Sequence, residues 1–428
     1  MKSMSRLAVV VCVSLVAASP ALARPEFVLP DVLFAAPGVE CNVYYDGALE
    51  TVTPWRYAYE AECPVGRCER FRWHWTPAAE DAGRSVPLVL RALDDDGTVA
   101  ERSVTVRVAR LPKAPDTRRI TLAMLGASIS NSGYPQRVMK LMRENGYPNY
   151  TPVGSHAGGG KPVVPGGIAY DGYGGFQWGD FLRRWWAREC ELPQEQMKAE
   201  EEALRLGQRE FVIQQGDAYR LKSPLLRVGA SGRPELDLQG WLDRINGGKP
   251  PDVITVALFG NDMFKARPGT LQAHLDRTFA DVEKLLSVLR AAAPKAHIGI
   301  GLGVAASDQD AFAKNYGCLQ SAAQYRRNIF AFNRRMMAFD FIRRDGNMSL
   351  IPMNAAIDTV SSFPRAEVAA HADTTQTVWR TSNALHPLRC GGDQLGDAIF
   401  AWLADVLSRD PAERKVGVAD CGAIPSTR

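Results

Sequence analysis

Ser128 stands in Gly126-Ala-Ser-Ile-Ser130, directly after the apolar run Ile120-Thr-Leu-Ala-Met-Leu125 and shortly before a helical stretch over Tyr134 to Asn145. Read as a buried strand, that run presents the serine at its carboxyl end, where open α/β sheets place their ligands. A serine so placed becomes a nucleophile when a base takes its proton and backbone N–H groups receive the developing oxyanion. Many serines in such turns only cap the following helix, so the motif alone does not decide between the two roles.

Other residues invite different chemistry. Gly158-Gly-Gly-Lys161 has the outline of a phosphate loop, but Ser155 replaces the leading glycine and Pro162 stands where Ser or Thr should bind magnesium, and that reading is discarded. Trp178, Trp185 and Trp186 could stack on sugar rings, but aromatic residues at helical spacing are more often core. The eight cysteines include Cys12 in an N-terminal apolar run; the other seven are Cys41, Cys63, Cys68, Cys190, Cys318, Cys390 and Cys421. Cys63 and Cys68 enclose a Pro-Val-Gly-Arg turn and could pair locally, with Cys41 competing for either. No histidine pair or second cysteine pair has ligand spacing, so neither a metal nor another cofactor is expected.

The elements around Ser128 fall into two patterns. From Pro25 to about Arg110, Glu40–Tyr45, Phe71–Trp75, Val86–Arg91 and Ser103–Val108 alternate or cluster β-formers, with a hairpin signal at Asp94-Asp-Asp-Gly97. These predict a small all-β sandwich, read as immunoglobulin-like, over residues 24–110, and Pro-rich residues 111–117 read as a linker. Beyond it, short apolar runs alternate with amphipathic ones, which predicts a three-layer α/β domain with a parallel sheet over residues 118–410. Strands are expected at Ile120–Leu125, Val253–Leu258 and Ile298–Leu302, and helices at Leu271–Ala292, 318–345 and Gln394–Leu407. Residues 195–209 are expected to form an exposed helix in an insertion, and residues 411–428 a tail.

Length and composition fit this division, since 428 residues with 46% hydrophobic and 23% charged content suggest two globular domains. Lys2 and Arg6, the apolar run Leu7–Ala18 and Ala21-Leu-Ala23 read as a secretory signal over residues 1–23, implying a secreted or periplasmic protein. Val11 before Cys12 argues against a lipid anchor, and no later run is apolar and long enough to predict stable membrane insertion. Loss of Lys2 and Arg6 with the signal lowers the formal charge from +4 to +2, and the basic doublets are dispersed, so no nucleic-acid partner is expected.

At this point the chain resembles the SGNH/GDSL hydrolases, whose first block is a Gly-Asp-Ser turn after the first strand. The resemblance covers roughly residues 118–408. It maps the family's oxyanion glycine to Gly175 in Tyr170-Asp-Gly-Tyr-Gly-Gly-Phe-Gln-Trp178, its asparagine to Asn261 in Leu258-Phe-Gly-Asn-Asp262, and its histidine to His386 in Asn383-Ala-Leu-His-Pro387. It implies Ser128 as nucleophile, His386 as general base, and an oxyanion hole built from the Ser128 and Gly175 N–H groups and the Asn261 amide. Val153-Gly-Ser-His156 also looks like a stretch of many relatives, which would allow His156 to line the site. Cys318 and Cys390, beside the family's last two regions, are a candidate disulfide bracing the His386 loop.

Three residues depart from the family pattern. Ala127 replaces the aspartate of the first block and Phe259 the glycine of the third, neither of which reacts. Asn383 stands three residues before His386, where the family has its triad aspartate, so the histidine would be oriented by Asn383 itself, by a backbone carbonyl, or by a carboxylate such as Asp373. The resemblance implies a serine esterase acting on an O-acyl, most simply O-acetyl, ester of a carbohydrate. The alternative is a carbohydrate-binding or cell-surface protein that kept the fold and lost full activity.

Overall fold

Period-two burial organises the first third of the chain. In the computed structural model, which describes residues 25–157, 163, 167–183, 223–228, 230, 234–305, 308, 311 and 321–409, seven strands lie before residue 110. They are β1 (Val32–Ala35), β2 (Cys41–Tyr44), β3 (Ala58–Glu62), β4 (Arg67–Cys68), β5 (Arg72–Trp75), β6 (Ser85–Asp94) and β7 (Gly97–Val108). Val86, Leu88, Leu90 and Ala92 of β6 face inward, as do Ala100, Val104, Val106 and Val108 of β7, the alternation of a half-buried antiparallel pair. Asp94 Oδ1 accepts from Asp96 N at 2.9 Å in the hairpin between them, and Gly97 takes the positive φ of +116°. One sheet runs β1-β7-β6-β3 and the other β2-β5-β4, with Trp73, Trp75, Val43 and Leu88 in a shared buried cluster. The pairing of β1 with β7 is parallel.

After residue 118 the described residues form ten further strands. They are β8 (Ile120–Gly126), β9 (Tyr150–Val153), β10 (Asp171–Gly172), β11 (Leu226–Val228), β12 (Pro234–Leu236), β13 (Val253–Ala257), β14 (His297–Gly301), β15 (Met348–Ile351), β16 (Arg365–Ala369) and β17 (Thr377–Thr381). β8 and β13 are buried at every position, as strands covered on both faces must be. The central sheet is parallel with order β10-β8-β13-β14-β15, and β9 shares the outer edge of β8 with β10. The longer helices are α1 (Tyr134–Glu144), α2 (Leu238–Asn246), α3 (Leu271–Ala292), α4 (Ala322–Met337) and α5 (Arg389–Ser408). Among the described residues no helix is long and apolar enough to cross a membrane.

Several elements differ from the sequence expectations. The long helix expected over 318–345 is α4 followed by a separate turn, Asp340–Arg344, because Phe339 is extended and breaks the ladder. α5 starts at Arg389 rather than Gln394. Gly391 and Gly392 weaken the sequence signal of its first turn, yet a Cβ at Gly392 would collide with the Ser132 carbonyl. Cys41, Cys63, Cys68 and Cys390 are free thiols, so neither Cys63–Cys68 nor Cys318–Cys390 is bridged; Cys68 Sγ instead lies 3.2 Å from the Tyr45 hydroxyl. The segments 1–23, 195–209 and 411–428, with Lys161, Trp185, Trp186, Cys190, Cys318 and Cys421, lie outside the described residues.

The all-β unit is built into the α/β core. Val28, Phe34, Ala36, Val39 and Ala109 belong to the same apolar cluster as the central strands, and Leu111 of the expected linker packs against it. Arg107 pairs with Asp405 of α5 through bonds of 2.8 and 3.0 Å. Arg326 of α4 is 1% exposed and donates to the carbonyls of Asp46, Leu49, Thr51 and Ala305. Asn354 adds bonds to the Val28 and Gly47 carbonyls at 2.9 and 3.1 Å. Arg326→Ala should therefore lower the unfolding free energy by about 3 kcal/mol or more, because it removes the buried donor of four carbonyls, of which Leu49 retains its bond from Thr51 N, and takes the cation away from the Asp46 carboxyl. Arg334→Ala, which removes only the half-exposed pair with Glu50, should cost under about 1 kcal/mol. Urea denaturation of the two variants measures the difference.

Candidate active site

Strand order brings the reactive residues together. β8 is followed by β9 on one side, and the chain then crosses to β13 on the other, so strand order reverses between β8 and β13. Crevices form at the carboxyl ends of strands where order reverses. The parallel register pairs Gly126 with Ala257, which ends both strands at one level. Ser128 opens a 3-10 turn, Ser128–Ser132, two residues after β8, and Asn261 opens another, Asn261–Met263, four residues after β13. Ser130, fully buried and 2.9 Å from the Tyr134 hydroxyl, anchors the first turn. Gly126 and Gly172 admit it, since a Cβ on either would strike the Ser130 side chain.

His386 lies between β17 and α5, with its Nε2 2.7 Å from Ser128 Oγ. The two residues are 258 positions apart in sequence and meet only because α5 packs against α1, the helix that follows Ser128. Both line a cleft of about 670 Å3 together with Gly174, Gly175, Asn261 and Leu385. Gly175 has φ +77°, a conformation that suits glycine, and a Cβ built on it would meet no atom within 4 Å. Asn261 Nδ2 donates to the Phe176 carbonyl at 2.8 Å, tying its amide to the loop that carries Gly175. An NH2 group has two donors, so this bond leaves the second for a ligand. Asp171 pins the start of that loop, accepting from Ser155 N at 3.0 Å, the Tyr173 hydroxyl at 3.2 Å and Trp241 Nε1 at 3.3 Å.

The histidine is oriented by an amide. Asn383 Oδ1 accepts from Leu385 N at 3.0 Å and His386 N at 2.9 Å, and only the amide oxygen can accept these N–H groups. That turns the Asn383 NH2 toward His386 Nδ1, at 3.3 Å. A donor at Nδ1 favours the neutral tautomer protonated on Nε2, which would donate to Ser128 Oγ rather than accept its proton. A carboxylate in the same place would favour the opposite tautomer. Asp373 does not fill that place: it is exposed in the turn joining β16 to β17, where its N–H donates to His371 Nδ1 at 3.3 Å, and among the described residues no hydrogen bond joins it to His386.

Other sequence candidates are placed away from the chemistry. His156 is buried, edge-on to Tyr173 at 4.7 Å, with Nδ1 2.5 Å from the Ala157 carbonyl; it packs and does not line the cleft. Trp178 is fully buried and donates from Nε1 to the Leu258 carbonyl at 2.6 Å, so it is core rather than a sugar platform. Conversely, one wall of the cleft escaped the sequence reading. His274, Arg277, Thr278 and Asp281 of α3 line it, at the i, i+3, i+4, i+7 spacing of a helix face. That polar stripe beside the buried Leu275, Phe279 and Val282 was the available signal.

No family model matches the sequence, and no curated protein matches it. Solved structures give similarities at low identity. A family 3 carbohydrate esterase from Talaromyces cellulolyticus is 14% identical with a TM-score of 0.37, over 67% of this chain and 98% of that one. A family 3 carbohydrate esterase of Clostridium thermocellum is 11% identical with a TM-score of 0.35, over 68% and 100%. A family 2 carbohydrate esterase with a carbohydrate-binding domain, from Corynascus thermopiles (Myceliophthora fergusii), is 12% identical with a TM-score of 0.31, over 88% and 93%.

Burial lowers the His386 pKa below its ordinary 6.5, because a half-buried imidazolium loses hydration. The ring should then be neutral throughout the neutral range and gain its proton only as pH falls below 6.5. In an NMR titration its ring signals should have a midpoint below 6.5, and Asn383→Asp should raise that midpoint by placing a carboxylate beside Nδ1.

Proposed function

We propose that the protein is a serine ester hydrolase of the exported compartment that removes O-acyl groups, most simply acetyl, from carbohydrate through an acyl-Ser128 intermediate. The observation that carries this reading is the 2.7 Å contact between Ser128 Oγ and His386 Nε2 at the strand-order reversal, facing a cleft. His386 in its Nδ1-protonated form takes the Ser128 proton as Oγ attacks the ester carbon, and returns it to the departing alcohol. The tetrahedral oxyanion is received by the Ser128 and Gly175 N–H groups and the Asn261 NH2. Water, deprotonated by the same histidine, then releases the acid and restores Ser128. The acetyl group and the sugar alcohol follow from the resemblance to exported SGNH/GDSL hydrolases; the immunoglobulin-like reading of the N-terminal sheets follows from the spacing of their strands, and these sheets serve here as a docked support.

Asn383 favours a second reading, a carbohydrate-binding protein with residual hydrolysis, because its NH2 opposes the tautomer the base requires. The two readings separate in one assay of 4-nitrophenyl acetate hydrolysis by the purified mature chain. The parent should turn over, Ser128→Ala should abolish turnover, and Asn261→Ala should lower kcat by about 10²–10³-fold. Asn383→Asp should raise kcat at least about tenfold by selecting the productive tautomer. A folded parent with no turnover on acetyl or longer esters makes the binding protein the better account.

A further inference from the structure

Beyond Asn261 the cleft is walled by cations that the hydrolytic chemistry does not use. Lys265, shortly after the Asn261 turn, and Arg277 on α3 both line it. Both are exposed, and among the described residues neither forms a hydrogen bond or an ion pair. The third cation of this wall, Arg183, is already matched, bonding Asp281 twice at 2.7 Å. His274 turns its Nδ1 to the Thr270 carbonyl at 3.1 Å. The remaining acid, Asp262, is 8% exposed with its Oδ2 in contact with no donor. Burial, with Asp180 and Asp281 nearby, pushes its pKa well up and so favours its uncharged form. Among the described residues, this part of the cleft therefore holds two cations without matching anions. Lysines and arginines on a freely solvated face are ordinary, but these two line the cavity that Ser128 also lines, and a ligand within it displaces the water that screens them.

We infer that the Lys265–Arg277 end of the cleft binds an oxyanion, a carboxylate or a sulfate, carried by the alcohol half of the ester. The inference rests on the ester-hydrolase reading for its geometry. An acetyl group has no atom to carry a charge, so an anion reaching this wall must belong to the alcohol. The volume of about 670 Å3 lies within the range of small-molecule sites and leaves room for a sugar residue beside the acyl group. Arg277 offers a planar pair of donors and Lys265 a mobile point charge, a combination suited to an oxyanion on a substrate approaching from solvent. The substrate class is then an O-acylated acidic sugar, either a uronate or a sulfated residue.

Three matched substrates test this: O-acetylated methyl galactoside, O-acetylated methyl galacturonoside and O-acetylated methyl galactoside 6-sulfate. The parent should show a higher kcat/KM for one or both acidic substrates than for the neutral one, and 0.5 M NaCl should reduce that preference. In the double variant Lys265→Gln/Arg277→Gln the acidic-to-neutral ratio should fall by about tenfold or more, and in Lys265→Glu/Arg277→Glu it should invert. Thermal denaturation checks that both variants are folded. Preference for the uronate alone or the sulfate alone identifies which anion the site takes. An acidic-to-neutral ratio near one in the parent, or one unmoved in both variants, overturns the subsite and leaves the hydrolase reading intact. Titration calorimetry with de-esterified oligogalacturonate and its sulfated neutral counterpart separates the remaining cases. If no ester is turned over but the parent binds either oligomer and the double variant does not, the hydrolase reading fails and the subsite stands. If no ester is turned over and neither oligomer binds, both fail.

Discussion

Parallel pairing of β8 with β13, Leu122–Gly126 against Val253–Ala257, fixes the level at which both strands end. Packing on both faces resists slip, because a shift of one residue would exchange the side chains of the two covered faces. The candidate site depends on that register. Ser128 and Asn261 enter the crevice from neighbouring strand ends, and Gly175 arrives on the loop after β10, which pairs with the last residues of β8. The glycines at 126 and 172 belong to the same constraint, for the buried Ser130 that anchors the Ser128 turn occupies the space their side chains would need. His386 alone comes from outside the sheet, held by the docking of α5 on α1.

The all-β unit contributes to the same body. Its residues enter the central apolar cluster, and the buried Arg326 closes the seam by serving carbonyls from both units. A guanidinium suits this place because several fixed donors can satisfy several main-chain acceptors at once, whereas each carbonyl left unserved in a dry seam is costly. The packing makes the N-terminal sheets a support for the site rather than a tethered accessory. Leu111 lies against the core, so the segment that composition marked as a linker is held in place.

Electrostatically the cleft is divided. Around Ser128 the walls are nearly uncharged: burial lowers the pKa of the imidazole, Asn261 and Asn383 present neutral amides, and Gly174 and Gly175 add no side chains. Further out lie Lys265, Arg277 and the Arg183–Asp281 pair. Neutral donors near the reacting atoms suit a charge that exists only in the transition state, and fixed cations farther away suit a charge the ligand brings with it. Asn383 is the residue least matched to the proposed chemistry, since its NH2 meets the ring nitrogen that a general base at His386 would keep protonated.

Local pattern made much of this legible in the sequence. Continuous apolar runs marked β8, β13 and β14, because a strand buried on both faces has no polar positions to spare, and α3 was bounded from Leu271 to Ala292 by its periodicity. The motif around Ser128 was readable because a strand end and the turn after it are both local features. Asn261, Gly175 and His386 were legible only through likeness to a family, since residues up to 258 positions apart leave no trace of proximity in a single sequence. Short or irregular elements such as β9, β10, β15 and the β16–β17 hairpin were missed, because few residues carry too weak a pattern and their pairing depends on a sheet already formed. The amide orientation of Asn383, the distance of Asp373 from His386 and the convergence of Lys265 with Arg277 were decided by tertiary structure alone. Sequence specified which chemical groups the chain carries and which strands hold them; packing determined which of those groups face each other across water or across a cleft, because proximity between distant segments is a property of the assembled core.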